Sequence, residues 1–93
     1  VPLETARACA DVADLAATVA ARGNTNAASD AGVAALLAEA GCKGAAFNVR
    51  INVAALDDRS LGAGLLEQAS GLVESATRRA ADAVARVEAI LDA

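Results

Sequence analysis

Two polar clusters interrupt a chain made mostly of alanine, valine and leucine. The first runs GNTNAASD, Gly23 to Asp30, and the second is NVRIN, Asn48 to Asn52. Side-chain amides carry both donors and acceptors, so Asn24, Asn26, Asn48 and Asn52 suit a ligand rich in complementary polar groups. Asp30 adds a carboxylate. Lys43 and Arg50, seven residues apart, sit two turns apart on one side of a helix, where they are either solvated or able to receive carboxylates.

Scaffolding alone could explain the first cluster. Asn tolerates left-handed turns, Ser29 can cap a helix, and Asp30 favours a helix start. The same free amides at a helix N-terminus also suit an anionic or oxyanion-bearing ligand. Asn48 and Asn52 are mediocre helix residues four apart. They are either exposed or, if buried, in need of partners that a ligand could supply. The sequence holds no nucleophile–base pair, P-loop, dinucleotide fingerprint or metal cluster. Cys9 and Cys42, with no histidine in the chain, are poor zinc ligands and read as small buried thiols.

Three helices must position these groups. Residues 2–22 open with Pro2 in the first turn and Glu4 near the positive end, and Leu3, Ala6, Ala10, Ala13, Ala16 (or Leu15), Val19 and Ala20 recur at three and four. Arg22 and Gly23 supply a stop. A second helix is expected over 29–56, capped by Ser29, with Asp30 in its first turn. Val33, Leu36, Leu37, Ala40, Phe47 and Ile51 form its expected apolar face. A separate face carries Asp30, Ala34, Ala38, Gly41, Ala45, Asn48 and Asn52, small in the middle and polar at the ends. Gly32, Gly41 and Gly44 weaken this helix, which makes sense where something must come close. A third helix over 58–92, capped by Asp57, Asp58 or Ser60, has its stripe at Leu61, Leu65, Ala69, Leu72, Ala76, Ala80, Ala83, Val87 and Ile90.

These elements define an all-α fold of long antiparallel helices. Of the 93 residues, 28 are alanine and one is aromatic, so close-packed helices are expected rather than a bulky core. A third helix of about 45–50 Å cannot bury its stripe against two shorter ones. The bundle is therefore expected to be incomplete, and to be completed by a partner subunit or by a missing N-terminal half. The absence of any methionine, even at position 1, agrees with a segment lying upstream. Asp30 and Asn48 share a face but lie about 27 Å apart along one helix. An antiparallel two-fold pairing of two copies along the small face around Gly41 would bring them together.

A net charge of −4 and a pI near 4.5 argue against nucleic-acid binding. No stretch approaches the length of a membrane span, and no signal peptide is evident. A soluble, cytoplasmic protein is expected.

Taken together, GNTNAASDAGVAALLAEAGCKGAAFNVRINV, residues 23–53, resembles the cyclodeaminase/cyclohydrolase family of folate enzymes. That family includes stand-alone bacterial methenyltetrahydrofolate cyclohydrolases and the cyclodeaminase domain of formimidoyltransferase-cyclodeaminase. The SDAGVAA form is more similar to the stand-alone members. Two features depart from the family: Thr25 stands where proline is common, and nothing here matches a glycine-rich segment of the N-terminal half. The chain looks like the C-terminal half of such a domain.

The resemblance implies a homodimer or higher homo-oligomer that binds tetrahydrofolates near the subunit interface without a metal or redox cofactor. It implies hydrolysis of 5,10-methenyltetrahydrofolate to 10-formyltetrahydrofolate, or alternatively closure of 5-formimidoyltetrahydrofolate with loss of ammonia. Asp30 is the implied catalytic group, as acid, base or orienting group. The helix dipole favours its charged form, so orienting a nucleophile is the easier role. Asn24, Asn26, Asn48 and Asn52 would hold the pterin edge and the amide, and Arg50 or Lys43 the glutamate tail. A non-catalytic helical interaction module, in which the asparagines cap and cross-link helices, is the rival reading.

Overall fold

The computed structural model describes residues 1–22 and 25–92, the side chains of Arg22, Thr25 and Asn26 excepted. Three α-helices account for almost all of them: α1 (Pro2–Arg22), α2 (Thr25–Ala54) and α3 (Arg59–Leu91). They form a rod with extents of 54 × 16 × 15 Å. The register follows from cross-helix neighbours. Cys9 lies against Gly41 and Val53 against Gly62, so α2 is antiparallel to α1 and to α3. Arg7 reaches Gln68, Asp14 reaches Arg79 and Arg86 reaches Ala21, so α1 and α3 run parallel.

The helix ends show local chemistry at work. Asp58 is the N-cap of α3, its Oδ1 accepting from the Leu61 N–H at 3.2 Å, a contact worth about 1 kcal/mol. The end of α2 tightens before it: Ala55 N–H donates to the Asn52 carbonyl and Leu56 N–H to the Val53 carbonyl, satisfying carbonyls that lack helical partners. At the other end, α2 begins at Thr25 rather than at Ser29. Ala27 and Ala28 are the strongest helix formers available, and they extend the helix N-terminally. Ser29 is consequently an interior residue rather than a cap, and Asp30 lies beyond the first turn.

The core is built from small side chains. Its buried apolar residues are Cys42, Val49 and fourteen alanines. They form two clusters: one joins Ala6, Ala10, Ala13, Ala38, Cys42, Ala45 and Ala76, and the other Ala16, Ala20, Ala31, Ala35, Ala80 and Ala83. On α1 and α3 these are the alanines of the expected stripes. On α2 the expected apolar face is overturned. Val33, Leu36, Leu37, Phe47 and Ile51 point outward, Leu37 at 69% and Ile51 at 66% exposure, as does Ala40. The residues that pack inward are Ala28, Ala31, Ala35, Ala38, Cys42, Ala45 and Val49.

The reason is size. Three long helices bring their backbones close only where side chains are small, and a leucine at such a seam would force them apart. Three glycines mark the tightest places, one of them Gly62, where a Cβ would fall 2.9 Å from Val53 Cγ1. A Cβ at Gly32 would fall 2.7 Å from Val87 Cγ2, and one at Gly41 would fall 2.9 Å from Cys9 Sγ. Gly44 faces open space instead, so close approach within the chain does not explain it. Surface ties at the α1–α3 seam add little: Arg79 and Asp14, 2.7 Å apart, are each about half exposed, where such pairs contribute about 0.2–1 kcal/mol.

Candidate functional site

The candidate residues on α2 divide between its two flanks. Asp30 is exposed and lines a groove of about 450 Å³ between α1 and α2, with Val12, Leu15, Val19 and Ala34 among the walls. Val12 and Ala34 also belong to a second groove of about 640 Å³ that includes Glu4, Cys9 and Leu37. The two make one apolar trough along the α1–α2 seam, and Asp30 stands at one end of it. No hydrogen bond or ion pair ties its carboxylate to another described residue. An exposed carboxylate at the end of an apolar trough offers a negative charge to a ligand that pairs a cationic group with an apolar body.

Lys43 and Arg50 lie on the opposite flank. With Phe47 they form the α2 wall of a groove of about 450 Å³ whose α3 wall includes Leu66, Ser70 and Val73. Lys43 Nζ is 2.9 Å from Glu39 Oε2 one turn earlier, leaving Arg50 as the cation of this groove without such a pairing. An apolar floor, one aromatic ring and a guanidinium suit a ligand with a flat body and a carboxylate.

Asn48 and Asn52 are exposed near the far end of α2. Cys9 is level with Gly41, so at equal rise per residue Asn48 lies level with Pro2, about 27 Å from Asp30. Within one chain the structure joins neither asparagine to Asp30. Asn24 and the Asn26 side chain lie outside the described residues. The pairing along the small face around Gly41 is also overturned. Gly41 packs on Cys9, and Ala38 and Ala45 are buried in the chain's own core, so α1 already occupies that face.

Sequence reasoning missed the groove walls. Leu15, the alternative to Ala16 in the expected α1 stripe, lines the Asp30 trough, and Phe47, on the expected apolar face of α2, lines the Arg50 groove. The available signal was a periodicity of small residues, offset from that of large ones. Among the described residues, no group of three His, Cys, Asp or Glu side chains is placed to hold a metal ion. No helix among them is long and apolar enough to cross a membrane.

Comparison with known proteins gives these observations a context. The sequence pattern of the formiminotransferase-cyclodeaminase family matches residues 1–71. A methenyltetrahydrofolate cyclohydrolase of Methylorubrum extorquens is 49% identical over 76 residues, covering 82% of this chain and 36% of that protein. The chain thus spans little more than a third of that relative's length. No solved structure gives a significant match. The family match covers all of α1 and α2, including the Asp30 trough and both asparagines of NVRIN, and the chain belongs to the formiminotransferase-cyclodeaminase family.

Proposed function

We propose that the protein serves folate one-carbon interconversion by hydrolysing 5,10-methenyltetrahydrofolate to 10-formyltetrahydrofolate. The observation that carries this reading is the 49% identity to a methenyltetrahydrofolate cyclohydrolase over 82% of the chain. That relative's name favours water over ammonia chemistry. The methenyl bridge is a cation delocalised over N5, carbon and N10, so a carboxylate in an apolar trough attracts it. Asp30 orients the attacking water and accepts its proton as the tetrahedral carbon forms. As the C–N5 bond breaks, Asp30 returns its proton to N5 and the hydroxyl proton passes to solvent, which leaves the formyl group on N10. Carbon keeps its oxidation level, so the step calls for no redox partner, and no metal is assigned a role.

In this reading Asn24 and Asn26 help hold the pterin edge, and Arg50 or Lys43 meets the glutamate carboxylates. The two flanks of α2 face different ways, so one chain does not complete the site. Two copies do. The large residues of α2, from Val33 to Ile51, form an outward apolar strip centred near residue 42. An antiparallel two-fold pairing of this strip sets the partner's Asn52 within about one turn of Asp30, and the partner's Asn48 about two turns away, on the same side of the interface. An acidic chain of this kind fits a cytoplasmic setting and no nucleic-acid partner.

The intact protein is expected to hydrolyse methenyltetrahydrofolate, followed as the loss of the methenyl chromophore. No acceleration over buffer would sink the reading and favour a helical interaction module. Sedimentation tests the assembly separately. Leu37→Glu with Phe47→Glu places two charges on the outward strip and is expected to shift the protein from dimer to folded monomer, with loss of turnover. A double variant that remains dimeric would place the interface elsewhere.

A further inference from the structure

We propose that Cys9 and Cys42 are an oxidisable thiol pair, in which Cys9 meets a peroxide and Cys42 converts the product into a disulfide joining α1 to α2. The residues are 33 positions apart in sequence, but the antiparallel packing of α1 on α2 brings them to the same level of the bundle. Cys9 Sγ sits 2.9 Å from the point a Cβ on Gly41 would occupy, and Cys42 is the next residue. Cys9 packs against the cluster that contains Cys42. A disulfide needs Cα atoms about 4.4–6.8 Å apart, an approach that any larger residue at position 41 would oppose.

The two thiols differ in the way such a pair requires. Cys42 is completely buried, whereas Cys9 is half-buried and lines the open trough beside Val12, Ala34 and Leu37. An oxidant as small as hydrogen peroxide therefore reaches Cys9 first. Burial pushes the Cys42 thiol up, and the neighbouring Cys9 acts in the same direction, so Cys42 is not the thiol that meets the oxidant first. The chain contains no methionine, tryptophan, tyrosine or histidine to compete for oxidant.

The chemistry balances with peroxide as oxidant. The Cys9 thiolate attacks one peroxide oxygen, the O–O bond breaks, and the other oxygen leaves as water after taking a proton, giving a sulfenic acid. The Cys42 sulfur then gives up its proton and attacks the Cys9 sulfur. The S–S bond forms, the S–O bond breaks, and hydroxide leaves as a second water. Two thiols lose two electrons and two protons, and peroxide is reduced to two waters.

The test treats the intact protein with hydrogen peroxide, blocks remaining thiols with iodoacetamide and maps the peptides by mass. One Cys9–Cys42 disulfide within each chain is expected, with both thiols recovered by dithiothreitol. Cys42→Ala places another alanine in an alanine core and should stop at a Cys9 sulfenic acid that dimedone captures. Cys9→Ala should leave Cys42 unmodified. Over-oxidation of Cys9 in the unaltered protein with Cys42 still alkylatable, disulfides between chains, or no loss of thiol would each overturn the proposal, and the mapping of the unaltered protein decides even where a variant fails to fold.

Discussion

Asp30→Asn in the intact protein is expected to lower kcat for methenyltetrahydrofolate hydrolysis by about 10²–10⁴-fold, the range of a lost general acid–base group. Folate affinity should change little. Asparagine matches aspartate in shape and still accepts a hydrogen bond, so it can hold a water in place, but it cannot take the proton that water must lose. Asp30 is exposed and bonded to no other described side chain, so the substitution leaves the alanine core untouched. The loss should therefore appear in single-turnover rates and not in a melting curve. Asp14→Asn is the control. That carboxylate pairs with Arg79 on the α1–α3 surface, away from the trough, and its removal should leave turnover unchanged. Near-normal turnover in Asp30→Asn would remove this residue from the mechanism and return it to a structural role on α2.

Where local chemistry dominates, the fold was legible. The α1 stripe of Ala6, Ala10, Ala13, Ala16 and Ala20 is buried as its spacing implied, and Asp58 caps α3 as one of three candidates. On α2 the largest apolar residues drew the expected core face to the wrong side. The helix is apolar nearly all round, so hydrophobicity alone does not choose its orientation, and the steric demands of its two neighbours do. The start of α2 was misplaced for a related reason. Ser29 caps only where the chain leaves the helix, and the alanines before it keep the chain helical. The candidate site divides in the same way. The residue types at Asp30, Asn48, Asn52, Lys43 and Arg50 were visible in the sequence. That Asp30 faces α1 while Arg50 faces α3 depended on which flank of α2 each helix covers.

The alanine core makes a second large effect predictable, and its sign is the reverse of a usual core experiment. Ala35 is 0% exposed and packs with Ala16, Ala20, Ala31, Ala80 and Ala83 at the junction of all three helices. Ala35→Leu adds three carbon atoms where no void receives them. The helices must separate, and overpacking of this kind costs about 1–3 kcal/mol, occasionally more. The upper end is expected here, because α1 and α3 both close on this seam and neither can yield without disturbing the other. Leu37→Ala removes three carbons from a side chain 69% exposed in the single chain and should cost no more than about 0.5 kcal/mol to that chain's own fold. Chemical denaturation at several protein concentrations separates the two cases. The Ala35→Leu deficit should persist at every concentration, since it lies within one chain. Any penalty from Leu37→Ala should include a part that depends on concentration, as expected if a second copy covers the outward strip. An Ala35→Leu protein as stable as the unaltered one would mean that the three helices do not approach as closely as described, and the size argument for the inverted α2 face would fall with it.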